Sequence, residues 1–289
     1  MIKNYLSKFI SLLSALIITN TFAQTSSDGL WSKLPSTTID GDKVNRSSFP
    51  STYYLFQLNL TALKTQLVNA PVLFANTNQA PLVLEFPNSD GQFEKFAVYE
   101  SSIMDPILEV KFPMIKTYAA QGIDDPTATM RFSVTQFGLH TMSLSGIKST
   151  IYIDPYTTDL VNYIVYDRKS LGADTQPFEC LTNDDVLLPS LNQKTNASAL
   201  TVQNINDKKL RTYRLAQSCT AEYGNIFAGT GTVAQQKANI QAQLTITMNR
   251  VNGVYERDLA IKMVFIANND LLIYLGSTSA DPWSNEWNT

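Results

Sequence analysis

The last third of the chain carries the pattern of a strand, a long helix and a second strand, and this pattern restricts the fold more than any other feature. Leu210–Gln217 has the composition of a strand. Thr232 is followed by Gln235 at the spacing of a capping box, in which a hydroxyl and an amide satisfy free N–H groups at a helix start. Ala260–Ala267 is an almost continuous apolar run, typical of a strand that is covered on both faces.

Between these signals, apolar residues recur at helical spacing. The recurring positions are Ile240, Leu244, Met248, Val251 and Tyr255. Such spacing places them on one face of a helix. A strand, a crossover helix and a second strand usually give two parallel strands with a right-handed connection. The sequence therefore predicts a parallel strand–helix–strand unit over Lys209–Ile273.

Composition and charge narrow the class of protein. A chain of 289 residues is long enough for one large domain or two ordinary ones. Its 44% hydrophobic and 16% charged residues are typical of a folded protein rather than a disordered one. The net charge of −3 gives no sign of a nucleic-acid partner. Thirteen Tyr and fourteen Phe, many in short alternating runs, favour a β-rich body.

The first 23 residues have the pattern of a signal peptide. Lys3 and Lys8 accompany Phe9–Ile18, an apolar core that is too short to cross a bilayer as a helix. Ala23 is a small residue at the expected cleavage position, so the mature protein is predicted to begin at Gln24. We expect secretion, to the periplasm or the exterior, with no stable membrane span after cleavage. A retained membrane anchor is the alternative.

The rest of the chain divides into four regions by composition. Residues 24–48 are polar and are expected to form a loosely ordered lead-in. Residues 49–169 form the β-rich body. Residues 170–207 are polar and aperiodic, and are interpreted as a linker. Residues 208–289 contain the strand–helix–strand unit.

Within the body, alternating runs bounded by turn signals predict a series of strands. These runs are Tyr53–Leu60, Pro81–Phe86, Phe93–Glu100, Thr129–Thr135, Leu139–Ser145, Ile151–Ile153 and Tyr163–Tyr166. Turn residues at Pro87–Gly91 and Gln136–Gly138 predict two hairpins. Leu63 and Leu67, ahead of Pro71, predict a short helix over Thr61–Asn69.

Several stretches resemble the secreted bacterial reprolysin-like (adamalysin-type, metzincin) zinc metallopeptidases. KLRTYRLAQSCTAEYG and MNRVNGVYERDLAIKMVFIANND resemble the opening of the catalytic domain. The body resembles the propeptide through LEFPNSDGQFEKFAVYES, PILEVKFPMIKTYAAQGIDDPTATMRFSVTQFGLHTMSLSG and IYIDPYTTDLVNYIVYDR. The second block is the most specific, because it keeps the order K-F-P-x-I-K-T-Y, G-I-D-D-P, R-F-S and G-L-H.

This resemblance implies a fold and a function. The implied fold class is α+β, with a β-rich propeptide-like domain at 49–169 followed by a partial α/β metzincin upper subdomain at 208–289. The implied function is the N-terminal zymogen portion of a secreted zinc metalloendopeptidase, with its own catalytic domain as partner and proteins or peptides as the parent's substrates. An exported β-rich binding or adhesion module, or a free protease inhibitor, is the alternative.

Zinc is the cofactor of the full-length family. There the motif H-E-x-x-H-x-x-G-x-x-H follows well downstream of the resembling strands, and it does not occur in this sequence. Three or four N, O or S ligands are needed to hold zinc. We therefore expect no zinc bound to this chain, no catalytic residue within it, and no proteolysis by it.

Cys180 and Cys219 are the two cysteines. The resemblance implies that Cys180 is a zymogen-switch thiol, which would occupy the open coordination position on the zinc of the catalytic domain. Its surroundings, PFECLTNDD, do not match the Pro-Lys-Met-Cys-Gly pattern of the animal enzymes. A Cys180–Cys219 disulfide and a free thiol therefore remain open as alternatives.

Two further features have a structural interpretation. His140 lies in an alternating run, shares a face with Met142 and Leu144, and is interpreted as an ordinary strand residue, since one His cannot form a zinc site alone. Asp124 and Asp125 are either a cation site or an Asx turn. We favour the turn, because calcium needs about six to eight oxygen ligands and no other acidic cluster is near in sequence.

The linker should be the first point of proteolytic attack. It is polar and aperiodic and lies between two regions that are predicted to pack, where nicking concentrates. We expect limited proteolysis with a broad-specificity protease to cut within Ser170–Asp207 before any other place, as judged by mass spectrometry of the fragments. Early cuts inside Phe93–Ser145 would contradict the assignment.

Overall fold

The computed structural model describes residues 24–35, 39, 41–46, 48–75, 78–172, 208–276 and 281–282. The predicted signal peptide, the possible switch thiol Cys180 and nearly all of the predicted linker lie outside the described residues.

Nine strands form one antiparallel sheet. They are β1 Trp31–Lys33, β2 Tyr54–Leu58, β3 Leu82–Pro87, β4 Phe93–Glu100, β5 Lys116–Gly122, β6 Thr129–Thr135, β7 Gly138–Leu144, β8 Ile151–Pro155 and β9 Asn162–Asp167. Their order in the sheet is β1-β2-β9-β8-β7-β6-β5-β4-β3. Consecutive strands from β3 to β9 are neighbours, while β2 pairs with β9 and so brings the first strands beside the last.

Side chains draw the two edges of this sheet together. Asp28, just before β1, accepts a hydrogen bond from the backbone N–H of Glu85 in β3 at 2.8 Å. The Ser27 hydroxyl donates to the Glu85 carboxylate at 2.8 Å. Lys33 Nζ donates to the carbonyl of Gly91 at 3.0 Å. The sheet is therefore a nearly closed barrel, in which side chains near β1 contact the opposite edge at β3.

Aromatic side chains fill the inside of the barrel. Trp31 packs edge-on against Phe56 and Tyr163, with ring centroids 6.4 and 5.7 Å apart. Phe86 packs against Phe132 at 5.3 Å. All five side chains are almost completely buried. Because side chains alternate along a strand, every second residue points into this core.

Four α-helices and two further strands complete the described chain. They are α1 Leu60–Leu67, α2 Pro106–Lys111, α3 Ala221–Phe227, α4 Val233–Leu259, β10 Arg211–Leu215 and β11 Ile261–Phe265. Single 3₁₀ turns lie at Arg168–Ser170 and Asn269–Leu272. Leu63 and Leu67 of α1 pack into the barrel core.

The predicted strand–helix–strand unit is present, with β10 and β11 parallel. The predicted capping box is confirmed: Thr232 Oγ1 accepts from Gln235 N, and the Gln235 side chain accepts from Thr232 N. The helix ends where Ala260 adopts the left-handed conformation, with φ of 54°. The prediction that Ala260–Ala267 is a strand covered on both faces is wrong, because only Phe265 of the five residues in β11 is fully buried.

The predicted fold class, α+β with a propeptide-like domain and a partial metzincin subdomain, is also wrong. The described residues are mostly β, and the long helix lies on the nine-stranded barrel. Two strands were missed. β5 contains Ala119 and Ala120, which have low strand propensity. β1 lies in the lead-in, residues 24–48, which was expected to be loosely ordered although its Trp31 is fully buried.

The segment Ser102–Ile115 lies between β4 and β5 and packs against the strand–helix–strand unit. We call it the bridging segment. Phe265 N donates to the carbonyl of Ile103 at 2.8 Å, and Asp105 N donates to the carbonyl of Phe265 at 2.9 Å. The bridging segment thus extends the small sheet beyond β11. Its Leu108 also belongs to the same buried cluster as Ile240 and Leu244 of α4.

Gly122, at the end of β5, has no room for a side chain. A Cβ there would lie 2.2 Å from the backbone oxygen of Asp125 in the turn that leads to β6. We expect Gly122→Ala to lower the free energy of unfolding by about 2 kcal/mol, since backbone must move to relieve the overlap. Chemical denaturation monitored by Trp fluorescence measures the change. Gly172→Ala is the matched control, because no atom of the described residues lies within 4 Å of a Cβ at that position. Equal stabilities for the two variants would contradict the prediction.

Candidate functional site

Helix α4 has two buried faces of different character. The face toward its own unit is apolar and includes Ile240, Leu244 and Met248. The face toward the barrel carries charged residues, among them Arg250 and Glu256, which both bond to barrel strands. We call this contact between α4 and the outer surface of β6–β8 the seam.

The barrel side of the seam is polar because of strand alternation. In β6, Met130 and Phe132 point into the barrel core, so Arg131 and Ser133 lie on the outer surface. His140 of β7 pairs with Ser133 and lies on the same outer surface. A helix that packs here meets charged and polar groups, and buried groups of this kind require partners.

Asp154 of β8 is the centre of the first anchor across the seam. Its carboxylate accepts from Arg250 at 2.5 Å, from the Tyr166 hydroxyl at 2.9 Å and from Arg46 at 3.4 Å. Arg250 also donates to the carbonyl of Thr141 at 3.0 Å. One carboxylate thus joins the lead-in, the barrel and α4.

The charges around Asp154 hold it ionised. Burial alone would raise its pKa, but Arg250, His140 and Arg46 outweigh that effect and lower it to about 2. The carboxylate therefore stabilises the fold at every pH above its ordinary value of about 3.9. That contribution is lost only as the pH falls through about 2.

His140 lies beside this anchor. The His140 side chain is only half-buried. Desolvation by its surroundings lowers its pKa to about 4; Asp154 and a hydrogen bond to the backbone of Gly138 oppose this shift, while Arg250 and Arg46 add to it. Its Nδ1 is shielded from solvent and has no hydrogen-bond partner in the described part of the chain. The interpretation of His140 as an ordinary strand residue left out these charged neighbours, which come from β8, α4 and the lead-in.

A second anchor lies further along α4. Arg131 is 3% exposed and makes a bidentate ion pair with Glu256, in which Nε lies 3.0 Å from Oε2 and Nη2 donates to Oε1. Arg131 Nη1 also donates to the Ser101 hydroxyl at 2.9 Å. Lys262 of β11 donates to the same hydroxyl at 3.0 Å. Burial and the proximity of Arg131 lower the pKa of Lys262 to about 8, although Glu256 opposes the shift.

Gly253 allows α4 to approach the barrel closely between the anchors. A Cβ at this position would lie 2.9 Å from Cε of Met142 and 3.2 Å from Cγ of Arg131. A cleft of about 270 Å³ opens beside the second anchor. It is lined largely by apolar groups, including Phe74 and Tyr99, and by the aliphatic and polar parts of Arg131.

The predicted site residues lie away from the seam, apart from His140. Cys219 is buried, and its thiol donates to the carbonyl of Thr220 at 3.2 Å. Burial raises its pKa to about 11, which disfavours the reactive thiolate. Cys180 lies outside the described residues, so the switch thiol and the Cys180–Cys219 disulfide both remain predictions.

The interpretation of the two adjacent aspartates as a turn is confirmed. Asp125 Oδ1 accepts from the backbone N–H of Thr127 at 2.9 Å, the pattern of an Asx turn. Its other oxygen accepts from the Ser145 hydroxyl at 2.7 Å. Asp124 accepts from the backbone N–H of Lys95 at 2.7 Å. Both carboxylates therefore fasten the turn between β5 and β6 to its neighbours.

No set of side chains in the described ranges suits zinc, since no three His, Cys, Asp or Glu residues there cluster closely enough to hold a metal ion. None of the described helices combines the length and the apolar character that crossing a membrane requires. The chain matches no family model, no curated protein and no solved structure. The resemblance to reprolysin-like peptidases therefore rests on the quoted residues alone.

The anchors were missed from sequence, although each left a signal there. Arg131 is the one charged residue in the alternating run TMRFSVT, and Asp154 directly follows the predicted strand Ile151–Ile153. A charged residue in a strand of a packed sheet requires a partner. On α4, Arg250 and Glu256 lie off the apolar face that predicted the helix. The sequence shows that these charges need partners, but not which ones meet.

Replacing Asp154 should destabilise the whole molecule. We expect Asp154→Asn to lower the free energy of unfolding by about 3–5 kcal/mol, because two guanidinium groups then lack their shared counter-charge. Urea denaturation at pH 7 measures the loss. Asp258→Asn is the control: Asp258 pairs only with its neighbour Arg257 on an exposed turn of α4, and its removal should change stability little. Similar losses in both variants would contradict the role of the anchor.

Proposed function

We propose that the barrel holds and helps to fold the strand–helix–strand unit, as the N-terminal zymogen portion of a secreted zinc metalloendopeptidase. The observation that carries the first part is the seam. Among the described residues, Arg250 and Glu256 of α4 have their buried ion-pair partners, Asp154 and Arg131, on the outer surface of the barrel. A helix with this face is incomplete without the barrel.

The apolar contacts support the same role. Phe265 and Leu244 of the unit share a buried cluster with Ile103 and Leu108 of the bridging segment. The outer edge of β11 is satisfied partly by that segment and partly by Asn252, whose side chain bonds both the N–H and the carbonyl of Met263 at 2.8 Å. Without the barrel and its bridging segment, the unit would expose apolar surface and one unpaired strand edge, and both favour association.

The zymogen part of the proposal rests on the family resemblance. In that family the peptidase domain holds zinc, which activates a water molecule to attack the peptide bond of a protein substrate. The described residues of this chain take no part in that step. Their proposed contribution is to help the beginning of the catalytic domain to fold and to keep it bound to the barrel after secretion.

A free binding module or protease inhibitor is the second candidate, and one observation favours it. A cleft of about 370 Å³ lies beside α1, lined by Val68 and Met114, which are 84% and 56% exposed. Lys64 and Lys116 lie at the same cleft. Exposed apolar residues around a cleft are a feature of protein-binding surfaces.

Cutting the chain between the barrel and the strand–helix–strand unit tests whether the barrel holds this unit. A recognition sequence for a site-specific protease is placed within residues 185–195 of the full chain, and the cut protein is analysed by size exclusion at pH 7. We expect the two pieces to elute together. Glu256→Ala should weaken their association by at least tenfold, because it leaves the buried Arg131 without its counter-charge. Arg257→Ala, one residue along, is the control and should leave the association unchanged.

Two outcomes would contradict the proposal. If the cut pieces separate at pH 7 and each melts cooperatively, the barrel is an independent module and the second candidate is favoured. The zymogen part is tested separately by sequencing the gene downstream of the codon for Thr289. An in-frame H-E-x-x-H-x-x-G-x-x-H motif is expected, and its absence would contradict that part alone.

A further inference from the structure

His140 is the one histidine of the chain, and it lies at the first anchor of the seam. Around it are the carboxylate of Asp154 from β8 and two guanidinium groups, Arg250 from α4 and Arg46 from the lead-in. The Tyr166 hydroxyl of β9 closes the cluster through its hydrogen bond to Asp154. Tyr152 of β8 packs under Arg250, with 5.3 Å between the guanidinium carbon and the ring centre.

This group of charges is balanced only while the imidazole is neutral. Two positive guanidinium groups already share one carboxylate, whose oxygens accept from three donors. A protonated His140 would add a third positive charge at a place where its Nδ1 has no partner among the described residues. When α4 moves away, Arg250 leaves with it and one positive charge beside the imidazole is removed, so the open state accepts the proton more readily.

We propose that His140 is an acid-operated latch, whose protonation weakens the hold of the barrel on α4 while the barrel itself stays folded. The inference rests on the proposed holding function and names its regulation. At neutral pH the imidazole is uncharged, both anchors are closed and α4 is held. On acidification the first anchor carries excess positive charge, and the barrel holds the strand–helix–strand unit less tightly.

The sign of the effect follows from proton linkage. The pKa of His140 is about 4 when the seam is closed, against about 6.5 for a hydrated histidine. Between these values the open state binds more protons than the closed state, so falling pH favours opening. Asp154 does not cancel the effect, because its own pKa of about 2 keeps it ionised throughout this range.

Hydrogen exchange of the full chain, corrected for intrinsic rates at pH 7, 6 and 5, tests the latch. We expect the opening constant of peptides within Val233–Leu259 to rise by about tenfold or more from pH 7 to pH 5. Peptides from β4 and β5 should keep their protection. In His140→Gln the rise should disappear. Glu256→Gln, which removes the second anchor, should open α4 more at every pH but keep the rise.

Other results would overturn the latch. The proposal is wrong if the opening constant of α4 in the wild type does not change with pH. It is also wrong if this constant rises as much in His140→Gln as in the wild type, or if β4 and β5 lose protection together with α4. If His140→Gln does not fold, NMR titration of the one imidazole in the wild type decides: a midpoint near 6.5 with α4 still protected contradicts the proposal. If the affinity between the two pieces of the cut chain is the same at pH 7 and pH 5, only the latch fails. Separation already at pH 7 contradicts the holding function itself.

Discussion

The alternation of side chains along β6, β7 and β8 determines both surfaces of one wall of the barrel. Inward positions such as Phe132 build the aromatic core, and the positions between them place Arg131, His140 and Asp154 on the outside. A register slip of one residue would exchange the two sets. The inner set closes the barrel, and the outer set requires a partner that brings opposite charges, which α4 supplies through Arg250 and Glu256.

The seam differs from an apolar protein core because ion pairs form its main contacts. Burying an ion pair costs desolvation, which offsets much of the attraction between the charges, whereas removing one partner leaves a buried charge unpaired and is costly. Gly253 adds close contact without adding a side chain that must interlock. On its opposite face α4 packs Leu244 and Ile240 into an apolar cluster. Its own unit and the bridging segment therefore hold the helix by apolar packing, while the barrel wall holds it through specific charge pairs.

Local structure was largely predictable from the sequence. The predicted strands and the short helix of the body are present with boundaries that differ by at most two residues, because alternation and turn residues act locally. The capping box at Thr232 was equally readable. Closure of the sheet was not, because it depends on β5, whose Ala119 and Ala120 carry little strand signal, and on the pairing of β2 with β9. The anchors were hidden for a related reason: each joins residues that are far apart in sequence, and charge alone does not identify the partner.

The pairing of β2 with β9 also determines the order in which the strands can pair while the chain is synthesised. Strands β3 to β9 follow one another in both sequence and sheet order, so each can pair with its predecessor as it emerges, whereas β1 and β2 must wait for the last strand of the sheet. Arg46 and Pro155, which meet in the finished structure, are 109 residues apart. Contacts of such long range slow folding, since a large loop must close before they form. The aromatic residues Trp31 and Phe56 therefore stay exposed until β9 has been made, and the first strands of the barrel are the last of its strands to be buried.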